Sequence, residues 1–226
     1  MDSIEVLKSL TFVARSSFCF IGFYLIYQTY RLWINGYRFQ KPMDSINKVV
    51  IITGASKGIG KEIALNFARR SSHILMACHD MKSRHATQNE IIEKIGNPHV
   101  KCMYLNLGSF KSIRIFANEF LKMGLPLAIL INNASILRLH PLDVLYAQMV
   151  INFLMNILCK SEEACADGFA YAAFDSSIQT ISGLYISNAQ IGRIGENTYD
   201  AEITVWLWRY SAELTGEKMI KSTKME

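Results

Sequence analysis

Three glycines carry the first chemical signal in this chain. Gly54, Gly58 and Gly60 fall within Thr53-Gly54-Ala55-Ser56-Lys57-Gly58-Ile59-Gly60. Ahead of them runs Lys48-Val49-Val50-Ile51-Ile52, a β-branched run of the kind buried in parallel sheets. Behind them Ile59, Ile63, Ala64 and Phe67 recur at the spacing of one helix face. A glycine turn between a buried strand and a helix suits a pyrophosphate. The first glycine lets the chain turn sharply, the second lets bare backbone approach the phosphates, and the third lets the helix pack on the strand. The helix start then offers unpaired N–H groups and the positive end of its dipole to the anion. Glycines alone also serve ordinary tight turns, so the flanking strand and helix decide the reading.

The elements that must hold this loop follow in regular alternation. His73 to Cys78 reads as a second strand, and Met81 to Ile95 as a polar helix with Ile91, Ile92 and Ile95 inward. Val100 to Leu105 is a third strand. Phe110 to Met123 is a helix with Ile113, Phe116, Phe120 and Leu121 as its stripe, and Leu127 to Ile131 is a fourth strand. Such alternation predicts a parallel α/β sheet with right-handed crossovers.

Composition narrows the classes further. The net charge of +5 over 226 residues is spread along the chain, with no basic block to meet a nucleic acid. The five cysteines, Cys19, Cys78, Cys102, Cys159 and Cys165, are irregularly spaced and form no Cys-x-x-Cys pair. Neither a disulfide framework nor a metal site is expected. Cys78 and Cys102 lie in apolar runs and read as buried thiols of a reducing compartment.

The N-terminus differs in kind. Ser17 to Tyr27 is almost wholly apolar and aromatic, and 15 residues separate the bracketing Arg15 and Arg31. That is short of the ~20 that cross a bilayer comfortably, although both arginines can snorkel. No small-x-small cleavage site follows. The basic flank Arg31, Arg38, Lys41 and Lys48 predicts a body facing the cytosol. A membrane-anchor helix is expected over 1–41, with an amphipathic or buried helix as the alternative.

The loop spacing, Thr-Gly-x-x-x-Gly-x-Gly, resembles the first turn of the short-chain dehydrogenase/reductase family. Asn132-Asn133-Ala134-Ser135, after the fourth strand, is similar to that family's Asn-Asn-Ala-Gly. An apolar helix ahead of such a domain resembles the retinol-dehydrogenase-like branch. The resemblance implies a Rossmann-type doubly wound sheet over 48–135 that holds NADP or NAD. It places the cofactor against Thr53, Gly54, Ser56, Lys57, Gly58, Ile59, Gly60, His79, Asp80, Asn106, Leu107, Asn133 and Ala134. Lys57 slightly favours NADP. Several positions depart from the pattern. His79 stands where the branch carries an arginine for a 2′-phosphate, and neutral imidazole substitutes poorly for a guanidinium. Asn106 replaces an aspartate, and Ser135 replaces a glycine.

The same resemblance exposes a gap. The family moves a hydride with the help of a tyrosine, a lysine four residues later, and a serine. The sole Tyr-x-x-x-Lys here is Tyr37 and Lys41, beside the anchor. Leu139-His140-Pro141 resembles a motif that follows the family's sixth strand. Cys159-Lys160-Ser161 with Gly168, Tyr171 and Ala172 is similar to a late helix. Ser182-Gly183-Leu184-Tyr185 is similar to the last strand, and Trp208 to Leu214 to the closing helix, expected from Tyr199. This tail is also similar to the WW-domain-oxidoreductase catalytic domain. The chain then passes from the end of strand four to the end of strand six, and 136–226 is a C-terminal remnant. Tyr146, Tyr171, Tyr185 and His140 read as structural, and Trp206 and Trp208 as core or membrane-facing packing. No residue is assigned to catalysis or to a metal.

The expected architecture is thus α/β, a truncated Rossmann-type doubly wound parallel sheet with an N-terminal apolar helix. Two functions stand. One is an NAD(P)-dependent oxidoreductase of the retinol/carbonyl class by descent, with hydride transfer impaired. The other is a non-catalytic, membrane-tethered module for a nucleotide or a protein. The expected location is the endoplasmic reticulum or another intracellular membrane. Missing helices would bare one side of strand four, either Ile129 and Ile131 or Leu130, where a protein partner would fit.

Overall fold

The computed structural model describes residues 3–36, 38–39, 48–70, 72–135, 149, 153–155, 157–193, 195 and 200–216, with 3–16, 81–82 and 84 in backbone only. Tyr37, Lys41, His140, Tyr146 and Tyr199 lie outside the described residues, so the Tyr37–Lys41 pair and the Leu-His-Pro segment do too.

The elements run α1 (Ser3–Asn35), β1 (Val49–Thr53), α2 (Gly58–Ala68), β2 (His73–Cys78), α3 (Met81–Ile95), β3 (Val100–Tyr104), α4 (Phe110–Lys122) and β4 (Leu127–Ile131). After these come α5 (Glu162–Phe174), β5 (Ile186–Ser187), β6 (Gln190–Ile191) and α6 (Ala201–Thr215). The four long strands form one sheet in the order β3-β2-β1-β4, with every neighbouring pair parallel. β1 therefore sits inside, and the chain crosses it to place β4 on its far side. The strand order reverses between β1 and β4, which makes their carboxyl ends the switch point of a doubly wound sheet.

One face of the sheet is closed by α2, α3 and α5. Val50, Ile52, Ile74 and Met76 point into it and meet Ile63, Phe67, Ile91, Ala170 and Phe174. The rings of Phe67 and Phe174 lie 4.7 Å apart. Burying each such side chain contributes about 1.5–3 kcal/mol. Between α2 and α5 the Asn66 amide donates to Asp167 at 2.8 Å, and Arg38 reaches the same carboxylate at 3.4 Å. Asp167 is buried, and these two partners make its charge tolerable there. On the opposite face, among the described residues, Phe116 and Phe120 of α4 cover Val49, Ile51, Leu75 and Ala77.

Several expectations are revised by this packing. Ile63, Ala64 and Phe67 are fully buried, but Ile59 is 39% exposed because α2 begins beyond the sheet edge there. Leu121 is exposed on the outer side of α4 rather than in its stripe. Ser182 to Tyr185 forms no strand, and a two-residue hairpin, β5–β6, follows it instead. α5 covers Ile131, so the uncovered side of β4 is the one that carries Leu130, 53% exposed. α6 buries none of its residues, which leaves Trp206 and Trp208 outside any core. Cys78 is buried as expected, whereas Cys102 is only partly so, and all five cysteines are free thiols.

α1 is a helix as expected, and Phe18, Phe20, Phe23, Leu32 and Trp33 along it are exposed. Among the described residues, no helix is long and apolar enough to cross a membrane. The end of α1 is tied to the body, since Ser161 N–H donates to Asn35 Oδ1 and Arg31 donates to the Cys159 carbonyl, both at 2.9 Å.

Candidate nucleotide site

The glycine loop takes its shape from backbone geometry that side chains would forbid. Gly54 and Gly58 adopt φ of +68° and +61°, in the left-handed region. At Gly60 a Cβ would stand 2.3 Å from the Gly54 carbonyl oxygen and 2.6 Å from Asn133 Nδ2. The third glycine is therefore needed for close packing, as the spacing implies.

A polar clamp joins the ends of β1 and β4 beneath the loop. The Thr53 hydroxyl accepts the N–H groups of Asn133 and Ala134, each at 3.0 Å, and donates to the Ile131 carbonyl at 3.4 Å. Asn133 Nδ2 donates back to the Thr53 carbonyl at 3.0 Å. Thr53 and Asn133 thus hold the two strand ends at a fixed separation. Thr87 in α3, which carried no signal in the sequence, donates to the Ser56 carbonyl at 2.7 Å and anchors the far side of the loop.

The start of α2 is chemically distinct from the starts of α3 to α6. α4 is capped by Ser109, α5 by Ser161 and α6 by Asp200, each accepting a first-turn N–H. Asp80 does the same for α3, accepting from Ser83 N–H at 3.4 Å. α2 starts at Lys57, whose side chain makes no cap. Its first N–H groups and the positive end of its dipole lack a side-chain acceptor, a condition that suits an anion.

Beside this loop lies a cleft of about 420 Å³ lined by Thr53, Gly54, Ala77, His79, Leu105, Asn106, Leu107, Gly108, Ala134 and Ser135. It opens at the carboxyl ends of all four strands. Of the thirteen residues expected at the cofactor, Thr53, Gly54, His79, Asn106, Leu107 and Ala134 line the cleft. Ser56, Lys57, Gly58, Ile59 and Gly60 form the loop and helix start above it, Asp80 faces α3, and Asn133 lies in the clamp. Ala77, Leu105 and Gly108 were missed, because their only signal is position at a strand end. His79 packs its ring 5.7 Å from Tyr104. Asn106 Oδ1 accepts from Gly108 N–H at 2.9 Å, which fixes the turn after β3. Neither tyrosine nor lysine is among the described residues lining the cleft.

A larger cavity of about 630 Å³ lies between the end of α1 and the start of α5. Its walls carry both charge signs, with Arg38 bridged to Glu163 at 2.9 Å and Glu62 and Glu162 beside them. The smaller cleft is the one that the glycine loop, the switch point and the uncapped helix share.

Sheet order, crossover and loop define a Rossmann-type α/β domain. Residues 48–169, just over half of the chain, match the family described as short chain dehydrogenase, and the chain belongs to that family. Among curated relatives, it is 45% identical over 91 residues to "Retinol dehydrogenase 13" of Homo sapiens, a match spanning 40% of this chain and 28% of that protein. It is 39% identical over 119 residues to "Retinol dehydrogenase 12" of Bos taurus, spanning 52% and 38%. The chain therefore covers well under half the length of these relatives. Of solved structures, a metagenomic short-chain oxidoreductase in complex with NADP is 27% identical, with a TM-score of 0.38 over 41% of each chain. A short chain dehydrogenase from Shigella flexneri is 21% identical, with a TM-score of 0.41 over 53% of this chain and 54% of that one.

Proposed function

We propose that this chain binds a nicotinamide dinucleotide in the cleft at the β1/β4 switch point and transfers hydride poorly or not at all. The observation that carries the reading is the coincidence of three features at one sheet edge. They are left-handed glycines, a helix start without a side-chain cap, and a cleft walled by the ends of all four strands. The residues fit a pyrophosphate at Gly54 to Gly60, with the adenosine end between His79 and Asn106 and the nicotinamide end toward Ala134 and Ser135. When bound, the dinucleotide gives or takes a hydride. A carbonyl partner then needs a proton donor at its oxygen. The sole Tyr-x-x-x-Lys of the sequence is Tyr37 and Lys41, ahead of β1, which supports the reading that the central catalytic segment is absent.

Lys57 in the glycine loop supports NADP over NAD, whereas His79 stands where a guanidinium would hold a 2′-phosphate. The Asp80 carboxylate is turned to the α3 N-terminus and so opposes a 2′-phosphate less. Descent from the retinol/carbonyl class sets the substrate class, if any turnover remains. The exposed aromatic residues of α1 and the basic residues after it support a tether to an intracellular membrane with the body on the cytosolic side. The Leu130 face supports a protein partner as a second reading.

The test uses the full chain purified in detergent. Titration with NADP and NAD is expected to show binding, while NADPH with retinal or small carbonyls shows no turnover. Turnover would restore the oxidoreductase reading, and no binding of either dinucleotide would remove the cleft as a nucleotide site.

A further inference from the structure

The phosphate cradle has an acidic neighbour supplied by the C-terminal part of the chain. Gly58 is the first residue of α2, at the helix start whose N–H groups suit a phosphate. Facing that start is Glu162, whose Oε1 lies 3.6 Å from the position a Cβ at residue 58 would occupy. α5 brings it there. Ser161 caps that helix through Ala164 N–H, and the Asn66–Asp167 hydrogen bond and the Phe67–Phe174 contact lock α5 along α2. The loop below is pinned by Thr87, while the Glu162 side chain is exposed at the edge of the larger cavity.

The charges around this point reinforce one another. Glu162 and Glu163 form the first turn of α5, and Glu62 lies one turn into α2. Burial first, and then the carboxylates of Glu163 and Glu162, push the Glu62 carboxyl above its usual range, against the pull of Arg69 and Lys61. Glu163 is engaged by Arg38 at 2.9 Å. Glu162 is the acid placed toward the glycine.

We infer that Glu162 acts as an internal anion at the dinucleotide cradle, so that a pyrophosphate binds only by displacing it. A carboxylate near a helix start is favoured by the same dipole that attracts a phosphate. Two anions cannot share that start without repulsion, and the bound dinucleotide then repays the cost of moving Glu162 away. The effect is a built-in weakening of cofactor affinity, which a change in the seating of α5 would relieve. This inference rests on the nucleotide reading of the cleft.

The experiment measures affinities of the full chain in detergent by calorimetry, with NADP, inorganic pyrophosphate and adenosine as probes. Glu162→Gln is expected to bind NADP and pyrophosphate roughly five- to tenfold more tightly than the parent chain. Adenosine, which has no phosphate, is expected to bind unchanged. Glu162→Asp, which keeps the charge on a shorter arm, should fall between, and Glu163→Gln should shift affinity less because that carboxylate is already paired. Unchanged or weaker NADP binding by Glu162→Gln overturns the inference and leaves the nucleotide site standing. Equal tightening of all three probes also overturns it, since that reports general loosening. If no variant binds NADP or pyrophosphate, the nucleotide reading falls and this inference falls with it.

Discussion

The two faces of the sheet are finished differently, and one ladder position shows how. Ile51 of β1 and Leu130 of β4 are register partners. Ile51 is 4% exposed and Leu130 is 53% exposed. The cause is geometric. A helix with its side chains is about 10 Å wide, and strands lie about 4.8 Å apart, so one helix covers roughly two strands. α4 covers β1 and β2 with part of β3 and stops short of β4. On the other face α2, α3 and α5 together reach all four strands, and Ile131 of β4 is buried there. Burial of a strand residue is therefore set by how many helices return to its face, and not by its own apolarity. The cradle lies at the closed face, where α5 both completes the core and brings Glu162 to the loop.

The largest test of this contrast removes matched apolar side chains from the two faces. Phe174→Ala on the closed face is expected to cost about 3–5 kcal/mol in denaturant unfolding. Leu130→Ala on the open face should cost less than about 1 kcal/mol, because little contact is lost. Equal costs would mean that the open face is covered in solution, by a partner copy or another segment. Gly60→Ala probes the close packing of loop on clamp. Its Cβ would meet the Gly54 carbonyl oxygen at 2.3 Å, so a loss of about 1–3 kcal/mol is expected, together with loss of NADP binding. Stability retained with binding abolished would show that the glycine serves the ligand alone.

The smallest effect is a pH dependence at the rim joining α2 to α3. Hydrogen bonds from Lys61 and then Lys94, at 2.6 and 2.7 Å, lower the Glu90 carboxyl from 4.5 to about 2. A lowered carboxyl stabilises the fold above its unfolded value and loses that contribution as pH falls through the folded one. The rim contribution should thus be intact above pH 4.5 and fade toward pH 2. Because the Glu90 side chain is about a third exposed and its partners are solvated, the difference between the parent chain and Glu90→Gln should be small at neutral pH. It should disappear at the acid end, as read by thermal melts across that range. A difference that persists unchanged in acid would assign the effect to packing.

Strand and helix bounds were legible from residues 48 to 131 because each strand is a short β-branched or apolar run, and each helix repeats at 3.6. Val100–Leu105 shortened to end at Tyr104, and Phe110–Met123 ended at Lys122. The glycine loop was legible from spacing. What failed was local and had a local cause. Ile59 fits the helical stripe by number, yet it belongs to the first turn, which projects past the sheet. Ser182 to Tyr185 resembles a strand, but it forms none, and the short β5–β6 hairpin follows it. Thr87 and Ala77 gave no signal, because a threonine within a helix and an alanine within a strand are ordinary until a neighbour is known.

By itself the sequence determined the alternation of elements, the three positions where only glycine serves, and the apolar character of the N-terminal helix. Those properties are written in periodicity and in single residue types, and they need no partner to be read. Only the tertiary structure decided which side of β4 lies bare, that Thr53 and Asn133 clamp two strand ends, and that Glu162 comes to rest over Gly58. Thr53 and Asn133 are 80 positions apart in the chain, and Gly58 and Glu162 are 104 apart. Only folding makes such residues neighbours, through the β1–β4 pairing for the clamp and the return of α5 onto α2 for Glu162.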